Sequence, residues 1–223
     1  MNMKTALAAS AAACLGLAGS AQAASISLFN TGVDASGVPQ ANGSPELHYT
    51  LISAPGGAAS GIRVATSANG FPIGPWLGDN SVSAWDGPNS DGSLNGPGGQ
   101  YDYRLTFSLA GLNPATAVIN GQWAADDHGD NILINGVGTG QTTASAFSAF
   151  TPFSVSSGFQ SGTNTLDFLF TNSGGPLGLR VEMTGTAVPS GAPEPASWAL
   201  MLLGVGVSGA FLRQRRQVAA LSA

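Results

Sequence analysis

The chain has 223 residues, which is enough for one domain together with targeting segments. Between Ala24 and Ala192 it contains three arginines, no lysine and eleven carboxylates, a formal charge of −8. Because such a surface repels phosphate backbones and has no cationic cluster that could release counterions, the charge argues against nucleic acid as a partner. Neutral sugars and divalent cations are compatible with it, and so is an acidity that only maintains solubility.

Residues 1–23 predict a secretory signal peptide. Lys4 precedes an apolar run from Ala6 to Leu17, and the small residues of Ala21-Gln22-Ala23 match a cleavage site. We therefore expect the secretion machinery and signal peptidase as partners, and a mature N-terminus outside the cytoplasm. Cys14, the single cysteine of the chain, lies in this segment, so the mature chain has no disulfide. The alternative of a lipidated Cys14 would need an unusually short apolar leader.

The body of the chain, residues 24–187, predicts an all-β fold. The clearest strand is Gln100 to Leu109, where apolar and aromatic residues alternate with polar ones, so that one face is buried and the other wet. Further strands are predicted at 26–29, 47–52, 62–66, 81–85, 117–123, 131–134, 151–155, 165–172 and 177–186. Asn135-Gly136 predicts a type I′ hairpin turn. About ten short strands separated by turn residues favour a jelly-roll-type β-sandwich.

The segment from Asn69 to Gly99 is rich in glycine and proline and contains Trp76 and Trp85. Aromatic faces stack on the apolar faces of sugar rings, while carboxylates and amides hydrogen-bond to sugar hydroxyls. If the two tryptophans are exposed, they form a glycan-binding platform with the polar residues around them. Those residues are Asp79, Asn80 and Asp86. The alternative is that both tryptophans are core residues, as we expect for Trp123 at the end of a strand.

The densest polar group of the body is Asp126-Asp127-His128-Gly129-Asp130-Asn131. Carboxylates this close repel one another unless a cation neutralises them, and Ca²⁺ takes about six to eight oxygen ligands. The candidate calcium ligands are Asp126, Asp127 and Asp130, with His128 in solvent. The segment is not an EF-hand, because Val137 occupies the twelfth position, where a bidentate carboxylate is required. Alternatively, these carboxylates cap backbone amides in a turn or face water, and no other cofactor is predicted.

Four segments of the body follow one pattern of motifs. They are Gly121-Gln122-Trp123-Ala124-Ala125-Asp126-Asp127, Ile132-Leu133-Ile134-Asn135-Gly136, Phe150 to Val155 and Gly162-Thr163-Asn164-Thr165-Leu166-Asp167-Phe168. With these motifs, residues 100–187 resemble the accessory sandwiches of the galactose-binding-like class. In that class a strand ends in Ala-Asp-Asp or Ala-Asp-Asn, a hairpin presents Asn-Gly, and Gly-x-Asn-x-Leu opens the penultimate strand. The resemblance implies the fold and leaves the ligand open, since many such modules are spacers in larger enzymes.

The sequence contains few of the residues and motifs that are typical of enzymes. His48 and His128 are its only histidines, it has no Gly-x-Ser-x-Gly motif, and the mature chain lacks a cysteine nucleophile. We therefore predict a non-catalytic protein. A secreted carbohydrate-active enzyme is the alternative, because a carboxylate pair about 5 to 9 Å apart can hydrolyse glycosidic bonds and sequence does not reveal that distance.

Residues 188–223 contain a linker and a tail with three parts. Pro193-Glu194-Pro195 precedes a 17-residue run without charge at 196–212, and a basic cluster follows at 213–216. The members of that cluster are Arg213, Arg215 and Arg216. As a helix the run is about 25 Å long, enough to cross a thin bilayer. Because arginines beside a span stay on the cytoplasmic side, we predict a transmembrane helix with its C-terminal end inside.

This tail resembles the PEP-CTERM sorting signal of Gram-negative bacteria that produce exopolysaccharide. In that family the partner is an exosortase, a membrane-embedded cysteine-type transpeptidase that removes the helix. The resemblance implies export across the inner membrane, a helix that stays in that membrane only until processing, and a final place at the cell surface or in the extracellular matrix. We expect exopolysaccharide as the candidate ligand there. One departure is the extra segment Gln217 to Ala223, since many members end soon after the arginines.

The alternative for the tail is the permanent anchor of a periplasmic protein. A plain single span explains the helix and the arginines. It does not explain Pro193-Glu194-Pro195, where two prolines prevent the helix from continuing through Glu194.

Overall fold

The computed structural model describes residues 22–57, 61–70, 72, 74–88, 95–143, 147–191, 200–210 and 213. The chain divides into two units. One unit is the body, Ala24–Val188, and the other consists of Met1–Ala23 together with Pro189–Ala223.

The body is built from thirteen described strands, joined by turns and three short 3₁₀ segments. The strands are β1 (Ala24–Ser25), β2 (Tyr49–Ser53), β3 (Arg63–Ala65), β4 (Trp85–Gly87), β5 (Asn95–Gly96), β6 (Gly99–Ser108), β7 (Val118–Asp126), β8 (His128–Ile134), β9 (Val137–Gly138), β10 (Thr151–Val155), β11 (Thr163–Asn172), β12 (Gly175–Pro176) and β13 (Gly178–Ala187). The 3₁₀ segments are Pro55–Gly57, Ser67–Asn69 and Pro114–Thr116.

Most of these strands form two large antiparallel sheets. The five-stranded sheet has the order β2-β6-β11-β8-β9, and the six-stranded sheet has the order β10-β7-β13-β4-β3 with β1 paired to β13. A small third sheet joins β12 and β5. Strands that are distant in sequence, such as β6 and β11, are neighbours in space, as Greek-key and jelly-roll connections require. The predicted all-β sandwich is confirmed.

The main core contains residues of both large sheets. Every second side chain of β6 and β11 is buried in it, including Tyr103 and Phe168, which have no exposed surface. Trp123 of β7 packs against Phe168, with ring centroids 5.8 Å apart. Because burying one large apolar side chain stabilises the fold by about 1.5–3 kcal/mol, the alternation of the sequence decides which face of each strand turns inward.

The long strands with a clear two-residue period lie within one or two residues of their predicted bounds at β6, β11 and β13. Asn135 and Gly136 adopt positive φ angles of 50° and 80° between β8 and β9, as the predicted hairpin turn requires. The strand predicted at 81–85 is wrong, since β4 begins at Trp85. The side chain of Asn80 accepts hydrogen bonds from the amides of Val82 and Ser83, which makes this segment a turn.

The described part of the tail is helical at 200–210, inside the helix predicted at 196–212, and its side chains are exposed. In the part of the chain that the structure describes, no helix combines the length and the apolarity that crossing a membrane requires. Residues 1–21 of the predicted signal peptide lie outside the described residues, as do Pro193-Glu194-Pro195, the two ends of the predicted helix, Arg215 and Arg216.

Candidate functional site

The two tryptophans of the proline-rich segment form a second, smaller core. Trp85 has no exposed surface, Trp76 is 9% exposed, and their ring centroids are 4.4 Å apart. Trp76 also stacks on Phe147 at 5.6 Å, and the indole N–H of Trp85 donates to the carbonyl of Leu77 at 2.9 Å. The expectation of an exposed aromatic platform is therefore wrong. Packing the rings against each other removes their large apolar surface from water.

The polar residues assigned to that platform do not share one exposed face. Asp79 accepts hydrogen bonds from the amide and the hydroxyl of Ser67 at 3.0 and 2.6 Å. The amide group of Asn80 donates to Glu182 at 2.7 Å. Asp86 is completely buried, so it cannot reach a ligand at the surface. The hydrogen bonds of Asp79 and Asn80 connect the segment to Ser67 and to Glu182.

A residue that the sequence did not single out, Arg180, fixes the same segment from beneath. Its guanidinium is fully buried and donates to the hydroxyl and the carbonyl of Ser83 at 2.8 and 3.0 Å and to the carbonyl of Gly78 at 2.7 Å. Burial lowers the pKa of Arg180, while the nearby charge of Glu182 opposes that shift. These hydrogen bonds satisfy carbonyls that would otherwise be buried without donors.

The three acidic residues at the turn between β7 and β8 have separate partners. Asp127 accepts the amide of Ser173 at 2.6 Å. Asp130 accepts the side-chain amide of Gln100 at 2.8 Å and the hydroxyl of Thr171 at 2.7 Å. Asp126 is 5% exposed, one of its oxygens has no described donor, and the peptide bond between Asp126 and Asp127 is cis.

Asp126 and Asp127 shift each other's pKa in opposite directions. Burial, the hydrogen bond to Asp127 and the negative charge of Asp127 raise the pKa of Asp126 to about 7. Although burial opposes it, the hydrogen bonds from the Ser173 amide and from Asp126 lower the pKa of Asp127. The opposite shifts favour a proton on Asp126 over one on Asp127.

The predicted calcium site is not formed by these residues. Among the described residues, no three or more His, Cys, Asp or Glu side chains are placed to hold a metal ion together. The reason is that Asp130 is turned towards Gln100 and Thr171, whereas Asp126 is buried beside Asp127. His128 is exposed, as predicted.

One candidate site was not predicted from the sequence. It is the solvent-facing side of the five-stranded sheet, called here the outer face. Its residues are Gln100, Asp102, Arg104, Asp130, Asp167 and Thr171. Because Tyr101, Tyr103 and Leu105 are buried, the alternate residues of β6 point to this opposite side. The same alternation on β11 places Asp167 and Thr171 beside them.

An ion pair lies at the centre of the outer face. Arg104 donates from Nε to Oδ1 of Asp167 at 2.6 Å and from Nη2 to Oδ2 at 2.8 Å, and the two residues are direct partners in the ladder between β6 and β11. The Asp167 side chain is 2% exposed, whereas that of Arg104 is 33% exposed. Arg104 therefore covers the carboxylate and keeps one edge of its guanidinium towards solvent.

Asp102 lies beside this ion pair on β6. Burial and the charge of Asp167 raise the pKa of Asp102 to about 6, while Arg104 acts in the opposite direction. Its Oδ1 is buried without a described donor. The accessible group at this place is the Arg104 guanidinium, which can donate hydrogen bonds to a ligand with hydroxyl oxygens.

A shallow groove of about 330 Å³ lies elsewhere on the body, beside the segment that follows β1. Its lining includes Phe29, whose ring stacks on His48 with centroids 3.6 Å apart. The remaining lining residues are Ser27, Leu28, Asn30, Val33, Ala35, Ser36, Gly37 and Met183. None is a carboxylate, so this groove does not provide the carboxylate pair that glycoside hydrolysis requires.

Comparison with known proteins identifies the tail. Residues 192–216 match the model of the PEP-CTERM protein-sorting motif. This confirms the resemblance inferred from Pro193-Glu194-Pro195, the apolar run and the arginines, and the chain carries this sorting motif. No curated protein matches the chain significantly.

Carbohydrate-binding modules are among the solved structures that align with this chain. CBM35 from Paenibacillus barcinonensis aligns with a TM-score of 0.33 and 14% identity, covering 61% of this chain and 91% of that module. The CBM36-1 domain of a multidomain xylanase from the hindgut metagenome of Trinervitermes trinervoides gives 0.30 and 11%, covering 50% and 82%. The GH26-CBM35 β-(1,4)-mannanase of Podospora anserina gives 0.32 and 17%, covering 66% of this chain and 29% of that enzyme. At this level, the similarities do not indicate what the chain binds.

Proposed function

We propose that this chain is an exported, non-catalytic β-sandwich protein that an exosortase sorts to the cell surface or the extracellular matrix. The observation that carries the proposal is the PEP-CTERM motif at residues 192–216. The helix described at 200–210 and Arg213 after it agree with that motif. The body, which has its own core, is the part that remains at the destination.

The proposed route has two steps. The secretion machinery and signal peptidase act on residues 1–23 and deliver the body across the inner membrane. The apolar run at 196–212 then holds the chain in that membrane, with the arginines on the cytoplasmic side, until the exosortase separates body from tail. The membrane is a temporary location in this scheme.

The experiment follows the molecular mass and location of the chain in strains with and without the exosortase, using an antibody against the body. With the enzyme, we expect a shortened body at the cell surface or in the medium. Without it, the unshortened chain should stay in the membrane fraction. Replacing Pro193, Glu194 and Pro195 by alanine should have the same effect as deleting the enzyme, whereas alanine at the linker residues Ser190 and Gly191 should not. An unchanged mass in both strains would favour a permanently anchored periplasmic protein.

We also propose that the outer face makes the contacts of the body with exopolysaccharide. Supporting this, the Arg104 side chain is a third exposed on this face, so its guanidinium can donate to sugar hydroxyls. Arg104 is paired with Asp167 and acts electrostatically on Asp102 on the same sheet face, which suits binding better than the alternative of hydrolysis between opposed carboxylates.

The binding proposal is tested by co-sedimentation of the processed protein with exopolysaccharide purified from the same organism, with and without EDTA. Arg104→Gln should weaken binding at least several-fold, and the matched substitution Arg63→Gln on β3 should leave it unchanged. Circular dichroism of both variants verifies that they are folded. Equal binding by the two variants would refute a role of the outer face, and loss of binding in EDTA would indicate a cation-dependent contact.

A further inference from the structure

Asp86 on β4 has a completely buried side chain that takes no part in the outer face. In the ladder it lies opposite Val64 of β3 and Leu179 of β13. Neither of its carboxyl oxygens accepts a hydrogen bond from any described N–H or O–H group. An ionised carboxylate in this position would lose its hydration without compensation.

The carboxyl group of Glu46 interacts electrostatically with Asp86, and it accepts the amide of Gly32, a residue that packs against Ala84 just before β4. Glu46 is in the opposite situation, because three amides donate to it. Its Oε2 accepts from Gly32 at 2.9 Å, and its Oε1 accepts from His48 at 2.7 Å and from Tyr49 at 3.3 Å. A carboxylate can only accept hydrogen bonds, so Glu46 already has the donors that an ionised group needs. A proton between the two carboxyls therefore belongs on Asp86.

The cations of the adjoining strands are engaged elsewhere. Arg63 of β3 donates to the carbonyl of Gly43 at 3.4 Å. Arg180 of β13 donates to Ser83 and to the carbonyl of Gly78. Neither guanidinium is placed to neutralise a second negative charge beside Glu46.

The other titratable groups near Asp86 do not supply positive charge either. Those that interact with it electrostatically from the 31–49 segment and from β6 are Glu46, Tyr49 and Tyr103. The hydroxyl of Tyr49 donates to the carbonyl of Phe29 at 2.9 Å, and that of Tyr103 has no described partner. His48 stacks on Phe29, and its Nε2 lies 3.2 Å from the carbonyl oxygen of Asp34.

We propose that Asp86 is protonated in the folded protein and donates that proton to Glu46, forming a carboxyl–carboxylate hydrogen bond that joins the 31–49 segment to β4 and is lost as the pH rises. The segment also touches β4 through its backbone. The Thr31 hydroxyl donates to the carbonyl of Ala84 at 2.8 Å, and the amide of Ala84 donates to the carbonyl of Thr31 at 3.0 Å. Loss of the Asp86–Glu46 hydrogen bond therefore removes one of several contacts between the 31–49 segment and the β4 region.

The direction of the pH dependence follows from proton linkage. Burial first, and then the negative charge of Glu46, raise the pKa of Asp86 well above its ordinary value. The stabilisation is complete below the unfolded pKa and is lost as the pH rises towards the folded pKa. Between these limits the proton leaves Asp86 for solvent when the chain unfolds, so the unfolding equilibrium constant increases about tenfold per pH unit from this group alone.

The test is equilibrium denaturation of the full chain in detergent between pH 5 and pH 8, followed by tryptophan fluorescence. Asp86→Asn keeps the shape and a donor for Glu46 but cannot ionise. Between pH 5 and pH 7, each pH unit should multiply the unfolding equilibrium constant of the wild type by a factor about ten times larger than that of Asp86→Asn. Asp79→Asn, at an exposed carboxylate, is the matched control and should keep the wild-type slope.

Two results would overturn the proposal. Equal slopes for the wild type and Asp86→Asn would mean that Asp86 does not carry the proton, since the contribution of Asp126 is common to both proteins. A wild-type stability that rises with added Ca²⁺ and falls in EDTA, with Asp86→Asn insensitive to both, would mean that a cation joins the two carboxylates. Infrared spectra give an independent measure, because the protonated-carboxyl absorption at pH 6, to which Asp126 also contributes, should be weaker in Asp86→Asn than in the wild type and equally strong if Asp86 is ionised.

Discussion

Arg104 and Asp167 form two parallel hydrogen bonds, of 2.6 and 2.8 Å, across the directly paired strands β6 and β11. The carboxylate is almost fully covered, so Arg104→Gln leaves a buried charge with a weaker partner. We expect a loss of about 1–3 kcal/mol in the free energy of unfolding, below the value for fully buried pairs because the guanidinium is partly exposed.

The same substitution has an electrostatic consequence for Asp102. Arg104 holds the pKa of Asp102 below the value that burial and Asp167 alone would give. A carbon-13 NMR titration should therefore find the Asp102 midpoint at a higher pH in Arg104→Gln.

Adding Asp167→Asn to Arg104→Gln should recover part of the lost free energy of unfolding, since it removes the unpaired charge. Independent, additive effects of the two substitutions would contradict the ion pair.

Asp126 should titrate near neutral pH. Its pKa of about 7 results from burial and from the neighbouring Asp127, and we expect a carbon-13 carboxyl titration with that midpoint. Because the folded pKa is above the unfolded one, its contribution to stability is complete below pH 4 and declines as the pH rises to about 7. Asp126→Asn should remove this decline. A midpoint near 4 in the wild type would show that no proton is shared with Asp127.

The alternation of apolar and polar residues predicted the strands because it reflects directly which side chains are buried. On β6, the alternation of Tyr101, Tyr103 and Leu105 with polar residues fixes the buried side of the strand before any partner is known. The pairing of Arg104 with Asp167 could not be predicted in this way. The two residues are 63 positions apart, and only the register between β6 and β11 makes them neighbours.

The prediction of the candidate binding residues was wrong for a related reason. Trp76 and Trp85 lie in a segment without periodicity, so their sequence does not say whether they are buried. In the structure Trp76 stacks on Trp85 and on Phe147, and Phe147 is far away in the chain. Similarly, nothing local reveals that Asp130 bonds to Gln100 and Thr171. The tail was predictable because its three parts are consecutive in sequence.

Trp85 should matter for stability and not for ligand binding. Trp85→Phe keeps much of the apolar volume but leaves the carbonyl of Leu77 without the indole donor, for a loss of about 1–3 kcal/mol. Trp85→Ala also opens a cavity beside Trp76 and should cost about 3–5 kcal/mol. Denaturant midpoints measure both. Weaker exopolysaccharide binding by Trp85→Phe, with unchanged stability, would restore the aromatic-platform hypothesis.

Gly129 is required where β8 passes the ring of Trp123. A Cβ atom at this position would lie 2.5 Å from the indole and 2.6 Å from the Cγ2 of Thr143, closer than such atoms approach. Gly129→Ala must therefore displace a buried ring or the strand that carries Asp130, and we expect it to cost about 1–3 kcal/mol. Gly78→Ala is the matched control, because a Cβ there meets no atom within 4 Å. If the two variants have the same denaturant midpoint, the close packing of β8 against Trp123 is wrong, and with it the position of the acidic turn beside the outer face.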